Sequence, residues 1–149
     1  MRTTVFIEDR SVPGEIRSVI RRSLWATDRA LGIGPGELTV RVVALETMQQ
    51  LNRQWRGEDR PTDVLSFPAG EVPHISACQR RYLGDVAICG AVALWQARRR
   101  KRARAREFGE LAIHGLLHLL GYDHERDEGE MRAVERRLCR MVASGERVT

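Results

Sequence analysis

Aromatic residues and cysteines are scarce in this sequence. The first shortage affects the expected core, and the second excludes two classes of small protein. Aromatic side chains make up 5% of the 149 residues, so the core is expected to be mainly aliphatic. The three cysteines, Cys78, Cys89 and Cys139, are widely spaced and include no Cys-x-x-Cys pair. Their number and spacing exclude a disulfide framework and a cysteine zinc ribbon. Three small, buried thiols are the expected outcome.

Long apolar runs are also missing. No stretch approaches the roughly 18 apolar residues that a transmembrane helix needs, so we expect no membrane-spanning segment. Residues 1–10 alternate polar with apolar side chains, include Glu8 and Asp9, and lack the apolar stretch of a signal peptide. A cytoplasmic protein without membrane contact is therefore expected.

Lysine is nearly absent, although the chain is basic. Of the 25 cationic side chains only Lys101 is a lysine, and with 20 acidic residues the formal net charge is +5. A basic, arginine-rich chain suits a polyanionic partner, because arginine binds phosphate through two parallel hydrogen bonds. Coding bias in an arginine-rich proteome would give the same composition, so charge alone does not identify a partner.

Hydrophobic periodicity predicts four strands and five helices in the order β-α-β-α-β-β-α-α-α. The predicted strands are Thr3–Glu8, 38–45, 64–67 and 83–89. The predicted helices begin near Ser11, Thr47, Gly90, Glu107 and Glu128. This order predicts a single α+β domain over residues 1–149, with a mixed sheet of about four strands packed with about five helices. The β-α-β start predicts a parallel strand pair, and the third and fourth strands are expected to pair antiparallel.

Three of the four histidines lie within eleven residues, at positions 114, 118 and 124. His114 and His118 are four residues apart on a predicted helix, so both lie on one face, about 6 Å apart along the axis. Gly121 allows the chain to leave the helix, so that His124 can return as a third ligand. Two buried imidazoles without partners would cost several kcal/mol, and a metal ion removes that cost. The spacing therefore predicts a metal site on this helix.

The ligand set indicates what this metal site would do. Three neutral imidazoles suit one divalent ion, zinc above other late first-row metals. No fourth ligand is evident, so one coordination position is expected to hold water or substrate, unless Cys89 or Cys139 closes it. The spacing H-x3-H-x2-G-x2-H is that of metzincin proteases, but Gly115 occupies the position of their general-base glutamate. The pattern thus predicts a metal cradle without the base that a zinc protease requires.

Three sequence blocks resemble the YbeY family of bacterial endoribonucleases, which act in ribosomal RNA maturation. The first is His114–His124, with H-x3-H-x5-H spacing and a G-Y-D-H ending. The second is the arginine-bearing stretch Trp55–Pro68, and the third is the L-G-D-V-A-I-C stretch Leu83–Cys89. The blocks occur in the family's order, and the chain length and predicted element order also agree with the family.

The resemblance implies a mixed sheet around a central helix, with one metal ion, usually zinc, bound by the three histidines. It implies that Arg56 lines the same cleft and takes part in RNA cleavage. It also implies processing of the 3′ end of small-subunit ribosomal RNA, ribosome quality control, and contacts with a small-subunit ribosomal protein and the GTPase Era. Without the resemblance, Arg56 would be interpreted as the partner of Glu58 or Asp59.

Several further residues are candidates for the site. Cleavage builds charge on phosphoryl oxygens, which a metal ion and an arginine fork can share. Asp85, among apolar neighbours, and Asp123 are candidates to orient a ligand histidine; the alternatives for Asp85 are a helix cap and an ion pair with arginine. Seven cations lie within one nine-residue segment. This segment is interpreted either as a patch that contacts RNA or as a charged connector between helices. They are Arg98, Arg99, Arg100, Lys101, Arg102, Arg104 and Arg106.

Together with the metal-site pattern, the resemblance implies a metal-dependent endoribonuclease that prefers single-stranded ribosomal RNA. The alternative is a metal-stabilised ribosome-assembly or RNA-binding factor whose cleavage is weak or needs partners. A metalloprotease is the third hypothesis, and Gly115 argues against it. The sequence leaves two nucleophiles open, namely water activated by the metal and the 2′-hydroxyl of the RNA.

Overall fold

The computed structural model describes residues 1–70, 81–123 and 125–143, and these form an α+β domain. The described strands are β1 (Arg2–Ile7), β2 (Gly36–Val43), β3 (Val64–Pro68) and β4 (Arg81–Cys89). The described helices are α1 (Ile16–Leu31), α2 (Leu45–Arg56), α3 (Gly90–Arg99), α4 (Arg104–Leu119) and α5 (Glu130–Ala143). The predicted fold class and the predicted element order are therefore confirmed. None of these helices combines the length and apolarity needed to cross a membrane.

The four strands form one mixed sheet in the order β1-β2-β4-β3. β1 and β2 run parallel, and β3 pairs antiparallel with β4, as the sequence predicts. β4 also runs parallel to β2, with Val86 opposite Val40. The sequence does not predict this pairing, because the two strands are separated by a helix, a strand and a long loop. It places β4 inside the sheet, where both of its faces are covered.

The core lies on both faces of the sheet. On one face Val86 and Ile88 of β4 pack in a cluster with α1 and α4, and Phe108 and Leu116 of α4 are fully buried there. On the other face Ala87 and Cys89 pack in a second cluster with Met48 of α2. A long apolar run such as β4 is expected for a strand that is covered on both sides.

α4 is the central helix of the domain. Its other side, which includes Ile113 and Leu117, packs against Met131 and Leu138 of α5. Because α4 is buried between the sheet and α5, its sequence is apolar around most of its circumference. The predicted central helix is confirmed, and the two histidines that it carries lie at the edge of its buried surface, only partly exposed.

Helix boundaries are the main corrections to the predicted elements. α2 begins at Leu45, after Ala44 in an extended conformation, and the predicted capping residue Thr47 lies within its first turn. α4 begins at Arg104 instead of Glu107, because ion pairs hold Glu107 inside the fold and the basic residues before it continue the helix. Of the cysteines, Cys89 is buried and Cys139 is half-buried, both as free thiols, whereas Cys78 lies outside the described residues.

Candidate active site

His114 and His118 are stacked one turn apart on α4 and face each other. Their Nε2 atoms are 3.1 Å apart, and the ring centroids are 4.7 Å apart in an edge-on arrangement. The i, i+4 spacing places both imidazoles on the same side of the helix, as the sequence predicts. The two ring nitrogens therefore point to a common position.

Glu135 of α5 holds the other side of the His114 ring. Its Oε1 lies 3.0 Å from His114 Nδ1, and both side chains are about three-quarters buried. Because a carboxylate only accepts hydrogen bonds, neutral His114 carries its hydrogen on Nδ1 and presents a lone pair at Nε2. This hydrogen bond is also the main cause that raises the pKa of His114, against burial, which lowers it, and with the nearby charge of Asp63 adding to the rise.

The histidines open into a cleft of about 430 Å³. The cleft is lined by Arg56, Asp63, Val64, Ser66, His114, His118, Gly121, Tyr122, Asp123 and Glu125. These residues come from the end of α2, from β3 and the residue before it, from α4, and from the segment that follows α4. The structure thus brings together Arg56 and two histidines, which belong to separate blocks of the sequence.

Arg56 is the last residue of α2, and its side chain is exposed. Neither of the two acidic residues that follow it makes an ion pair with it. Glu58 pairs with Arg60 at 2.8 Å, and Asp59 accepts a hydrogen bond from Gln49 at 3.2 Å. The alternative interpretation of Arg56 as the partner of Glu58 or Asp59 is therefore wrong.

The end of α2 is fixed in place beside the cleft. Trp55 packs edge-on against Phe67 of β3, with 5.9 Å between ring centroids. Gly57 then adopts a left-handed conformation, with φ 71°, and its N–H bonds to the carbonyl oxygen of Arg53. This conformation is easily adopted by glycine and stops the helix. Arg56 is therefore presented from a defined helix end.

Gly115 faces the sheet, and this packing explains why no side chain stands there. A Cβ atom at Gly115 would lie 2.5 Å from Cγ1 of Val86. The Ser66 hydroxyl donates a 2.8 Å hydrogen bond to the Gly115 carbonyl oxygen, which ties β3 to α4 beside the cleft. A glutamate at this position would meet Val86 of β4. The missing protease base is thus a consequence of helix–sheet packing.

The two aspartates predicted to support the histidines lie in different places. Asp85 is on β4 and accepts a 2.8 Å hydrogen bond from the Tyr82 hydroxyl, and it does not line the cleft. Asp123 does line the cleft, where it accepts a hydrogen bond from the Glu125 N–H and pairs with Arg126. Sequence reasoning missed Glu135, which the structure places against His114.

The arginine-rich segment 98–106, which spans the end of α3 and the start of α4, is largely engaged in ion pairs. Arg100 and Arg102 both pair with Glu107, whose side chain is 1% exposed, and Arg102 also reaches Glu110 at 2.6 Å. Arg104 pairs with Glu15, Arg106 pairs with Glu110, and Arg99 lies over the Trp95 ring. None of the seven predicted cations lines the cleft. In this segment the connector interpretation accounts for at least four of the seven cations.

The described residues include two members of the predicted metal site. Within residues 1–70, 81–123 and 125–143, no group of three or more histidine, cysteine or acidic side chains is arranged to hold one ion. His124, the predicted third ligand, lies outside the described residues. The described pair fits a metal, because its Nε2 separation of 3.1 Å is close to the about 3.4 Å of two imidazoles on one tetrahedral zinc ion.

Comparison with known proteins shows the family to which the chain belongs. The family model described as Endoribonuclease YbeY matches residues 4–143. A protein named Endoribonuclease YbeY from Chromohalobacter salexigens is 45% identical over 112 residues, which cover 74% of this chain and 71% of the relative. A protein of the same name from Persephonella marina is 45% identical over 122 residues, which cover 82% and 76%. A solution structure from Thermotoga maritima matches with a TM-score of 0.66 and 28% identity, over 96% of this chain and 90% of the other.

Proposed function

Because this chain belongs to the endoribonuclease YbeY family, we propose that it cuts single-stranded RNA with the help of a divalent metal ion during ribosomal RNA maturation. The observation that carries this proposal is the shared cleft of Arg56 and the two histidines of α4. A cationic fork and two convergent imidazole nitrogens can act on opposite sides of one phosphodiester group.

His114 and His118 are the proposed ligands of the ion, zinc above other metals, and His124 is the proposed third ligand. Asp123 and Glu125, its two neighbours in sequence, line the cleft, which supports this choice. When bound, the ion supplies a Lewis acid that polarises a phosphoryl oxygen. Glu135 holds His114 in the tautomer that presents Nε2, so the ligand is oriented before any ion binds.

Arg56 is the proposed clamp on the phosphate. Its guanidinium can donate two parallel hydrogen bonds to phosphoryl oxygens, and these strengthen as negative charge builds on the oxygens during cleavage. The acidic residues that follow it are engaged with Arg60 and Gln49 and so do not neutralise it. Beside it, Trp55 is 64% exposed and offers an aromatic face on which an unpaired base can stack. This face supports a preference for single strands.

The biological setting rests on the family. We propose that the substrate is the 3′ end of small-subunit ribosomal RNA, that the protein acts in the cytoplasm in ribosome quality control, and that its partners are a small-subunit ribosomal protein and the GTPase Era. Each of these is a prediction from the resemblance. A direct binding assay between this chain and each of the two proposed partners would test those two predictions.

The first experiment is cleavage of a single-stranded ribosomal RNA fragment by wild type, H118A and R56A, purified identically. Each variant should lose about 10²-fold or more in rate, the usual effect of removing one group that stabilises charge in a transition state. R53A is the matched control, because Arg53 lies one turn before Arg56 on α2 and does not line the cleft. It should cut like the wild type.

Equal cutting by wild type and H118A, with both folded, would contradict the proposal and would favour the assembly-factor alternative. The product ends then identify the nucleophile. Attack by the RNA 2′-hydroxyl leaves a cyclic phosphate, whereas attack by water leaves a linear one. Cleavage of single-stranded DNA of the same sequence would exclude the 2′-hydroxyl.

A further inference from the structure

A second groove, of about 480 Å³, lies between α4 and α5. It is lined by Arg106, Glu110, Arg132, Glu135, Arg136, Cys139, Arg140 and Ala143. We call it the arginine groove. Half of its lining residues are arginines, and it contains no large apolar side chain.

Three of these arginines form a regular row on α5. Arg132, Arg136 and Arg140 are four residues apart, so they lie on one face at intervals of about 6 Å along the helix. All three are exposed, and no hydrogen bond or ion pair joins them to any other described residue. Like charges at this spacing destabilise a helix by a few tenths of a kcal/mol per pair. An unneutralised row of this kind is characteristic of a surface that meets a polyanion.

The acidic groups in the arginine groove are already engaged. Glu110 accepts hydrogen bonds from both Arg102 and Arg106, at 2.6 and 3.2 Å. Glu135 is bonded to His114. Neither carboxylate forms an ion pair with the row on α5, so the three guanidinium groups keep their hydrogen-bond donors for an incoming ligand, and the lining holds four arginines against two carboxylates.

The arginine groove adjoins the catalytic cleft. Glu135 lines the groove, and its carboxylate contacts His114, which lines the cleft. The two recesses therefore share the Glu135–His114 pair as a wall.

We propose that the arginine groove binds the phosphate backbone of the RNA strand that is cut in the cleft. The proposal rests on the proposed endoribonuclease function and adds a second contact region to the substrate. Evenly spaced guanidinium groups match a chain that carries one charge per nucleotide, and each can bind a phosphate bidentately. A protein partner is a poorer fit, since protein interfaces are anchored by buried aromatic or apolar side chains, which this groove does not offer.

The test is the salt dependence of RNA binding by the zinc-loaded protein. Fluorescence anisotropy with a labelled 20-nucleotide single-stranded RNA is recorded at several KCl concentrations. Every protein in the series, including the reference that is otherwise wild type, carries R56A so that the RNA is not cut during the measurement, and a gel of each sample checks that it is intact. The triple variant R132Q/R136Q/R140Q should bind at least about tenfold more weakly at low salt. The slope of the logarithm of its RNA-binding constant against log [KCl] should be smaller in magnitude by about 2. This difference corresponds to three lost phosphate contacts.

The matched control is R10Q/R17Q/R21Q, which removes the same charge elsewhere. Arg17 and Arg21 lie on the opposite side of α1 from Val19 and Ser23, which approach Gly109 of α4, and all three replaced arginines are exposed. Thermal melts of both variants show that each is folded. The control should keep a slope within about 0.5 of the wild-type slope. It loses only the long-range attraction of three distant charges, which salt screens, and no phosphate contact.

The outcomes separate this proposal from the proposed function. If both triple variants lose affinity equally, the arginine groove has no special role, although wild-type cleavage still stands. Displacement of the RNA by polyglutamate of equal charge as readily as by unlabelled RNA would assign the groove to acidic polypeptides and overturn the proposal. Absence of RNA binding by the wild type would contradict both the proposal and the endoribonuclease function.

Discussion

His114 is held between two partners of different chemistry. On one side Glu135 fixes the hydrogen at Nδ1, and on the other side Nε2 meets the imidazole of His118 at 3.1 Å. A ligand histidine without such a partner would rotate and change tautomer, and both changes weaken metal binding. Glu135 is therefore a positioning residue for the proposed metal site.

The first prediction concerns Glu135. E135Q keeps the shape of the side chain and removes its charge, so the zinc affinity should fall by about 10- to 100-fold, the usual effect of losing an outer partner of a ligand. Competition with a chromogenic chelator measures this affinity directly. E46Q, at an exposed position of α2, is the control and should bind zinc like the wild type. Unchanged affinity in E135Q would show that the carboxylate does not orient the ligand.

The second prediction concerns Gly115, which is pressed against β4. Within a helix, replacing glycine by alanine normally stabilises by about 0.5–1 kcal/mol. At Gly115 the new methyl group would lie 2.5 Å from Val86 Cγ1, and such overpacking typically costs about 1–3 kcal/mol. G115A should therefore lower the free energy of unfolding in urea. G14A, where no atom lies within 4 Å of the added methyl group, should leave it nearly unchanged.

At the scale of elements, the connection between α3 and α4 is built on a buried carboxylate. Lys101 adopts a left-handed backbone, with φ 53°, and turns the chain between the two helices. Arg100 and Arg102 then converge on Glu107, which is 1% exposed. A buried charge is tolerated only when it is paired, so these arginines are required by the fold.

The third prediction tests this requirement. R102Q leaves Glu107 with Arg100 as its remaining partner and frees Glu110 from one of its two arginines. We expect a loss of about 2–3 kcal/mol in unfolding free energy, below the 3–5 kcal/mol for a fully buried pair because Arg102 is partly exposed. R98Q is the control. It removes an exposed arginine of the same segment and should change the urea unfolding midpoint by less than the experimental error of that midpoint. Equal midpoints for both variants would refute the structural role of Arg102.

At the scale of the whole molecule, two hydrophobic clusters meet at α4, one shared with the sheet and α1 and the other shared with α5. The helix packs against the sheet on one side and α5 on the other, and the proposed ligands lie where these contacts end. An ion bound there would tie the cleft to the core. Because it would bind the folded chain far more strongly than the unfolded chain, it would stabilise the entire domain.

The fourth prediction is that zinc raises the melting temperature. At a free concentration one hundred times its Kd, zinc adds about 2.7 kcal/mol, which corresponds to roughly 5–10 °C for a chain of this length. The increment should disappear in H118A. It should also shrink as the pH falls, because only neutral imidazole binds metal and the pKa of His114 lies above its ordinary value. Scanning fluorimetry with and without zinc at several pH values measures both effects, and an increment that persists in H118A would contradict the assignment.

The sequence by itself determined the order of elements, the α+β class, the central helix and the alignment of His114 with His118. These features depend on local periodicity, and a spacing of four residues has the same meaning on every α-helix. The motif resemblance added Arg56, and the structure brings it into the same cleft as those histidines.

Only the tertiary structure decided which charges are neutralised and which acid supports a ligand. Glu135 is 21 residues from His114, and nothing in the sequence of α5 distinguishes it from Glu130, the other glutamate of that helix. The arginine-rich segment 98–106 has the more prominent sequence, yet Glu107 and Glu110 engage it, whereas the row on α5 forms no ion pair with another described residue. Ion pairing depends on contacts between elements far apart in the chain, and local patterns carry no information about those distances.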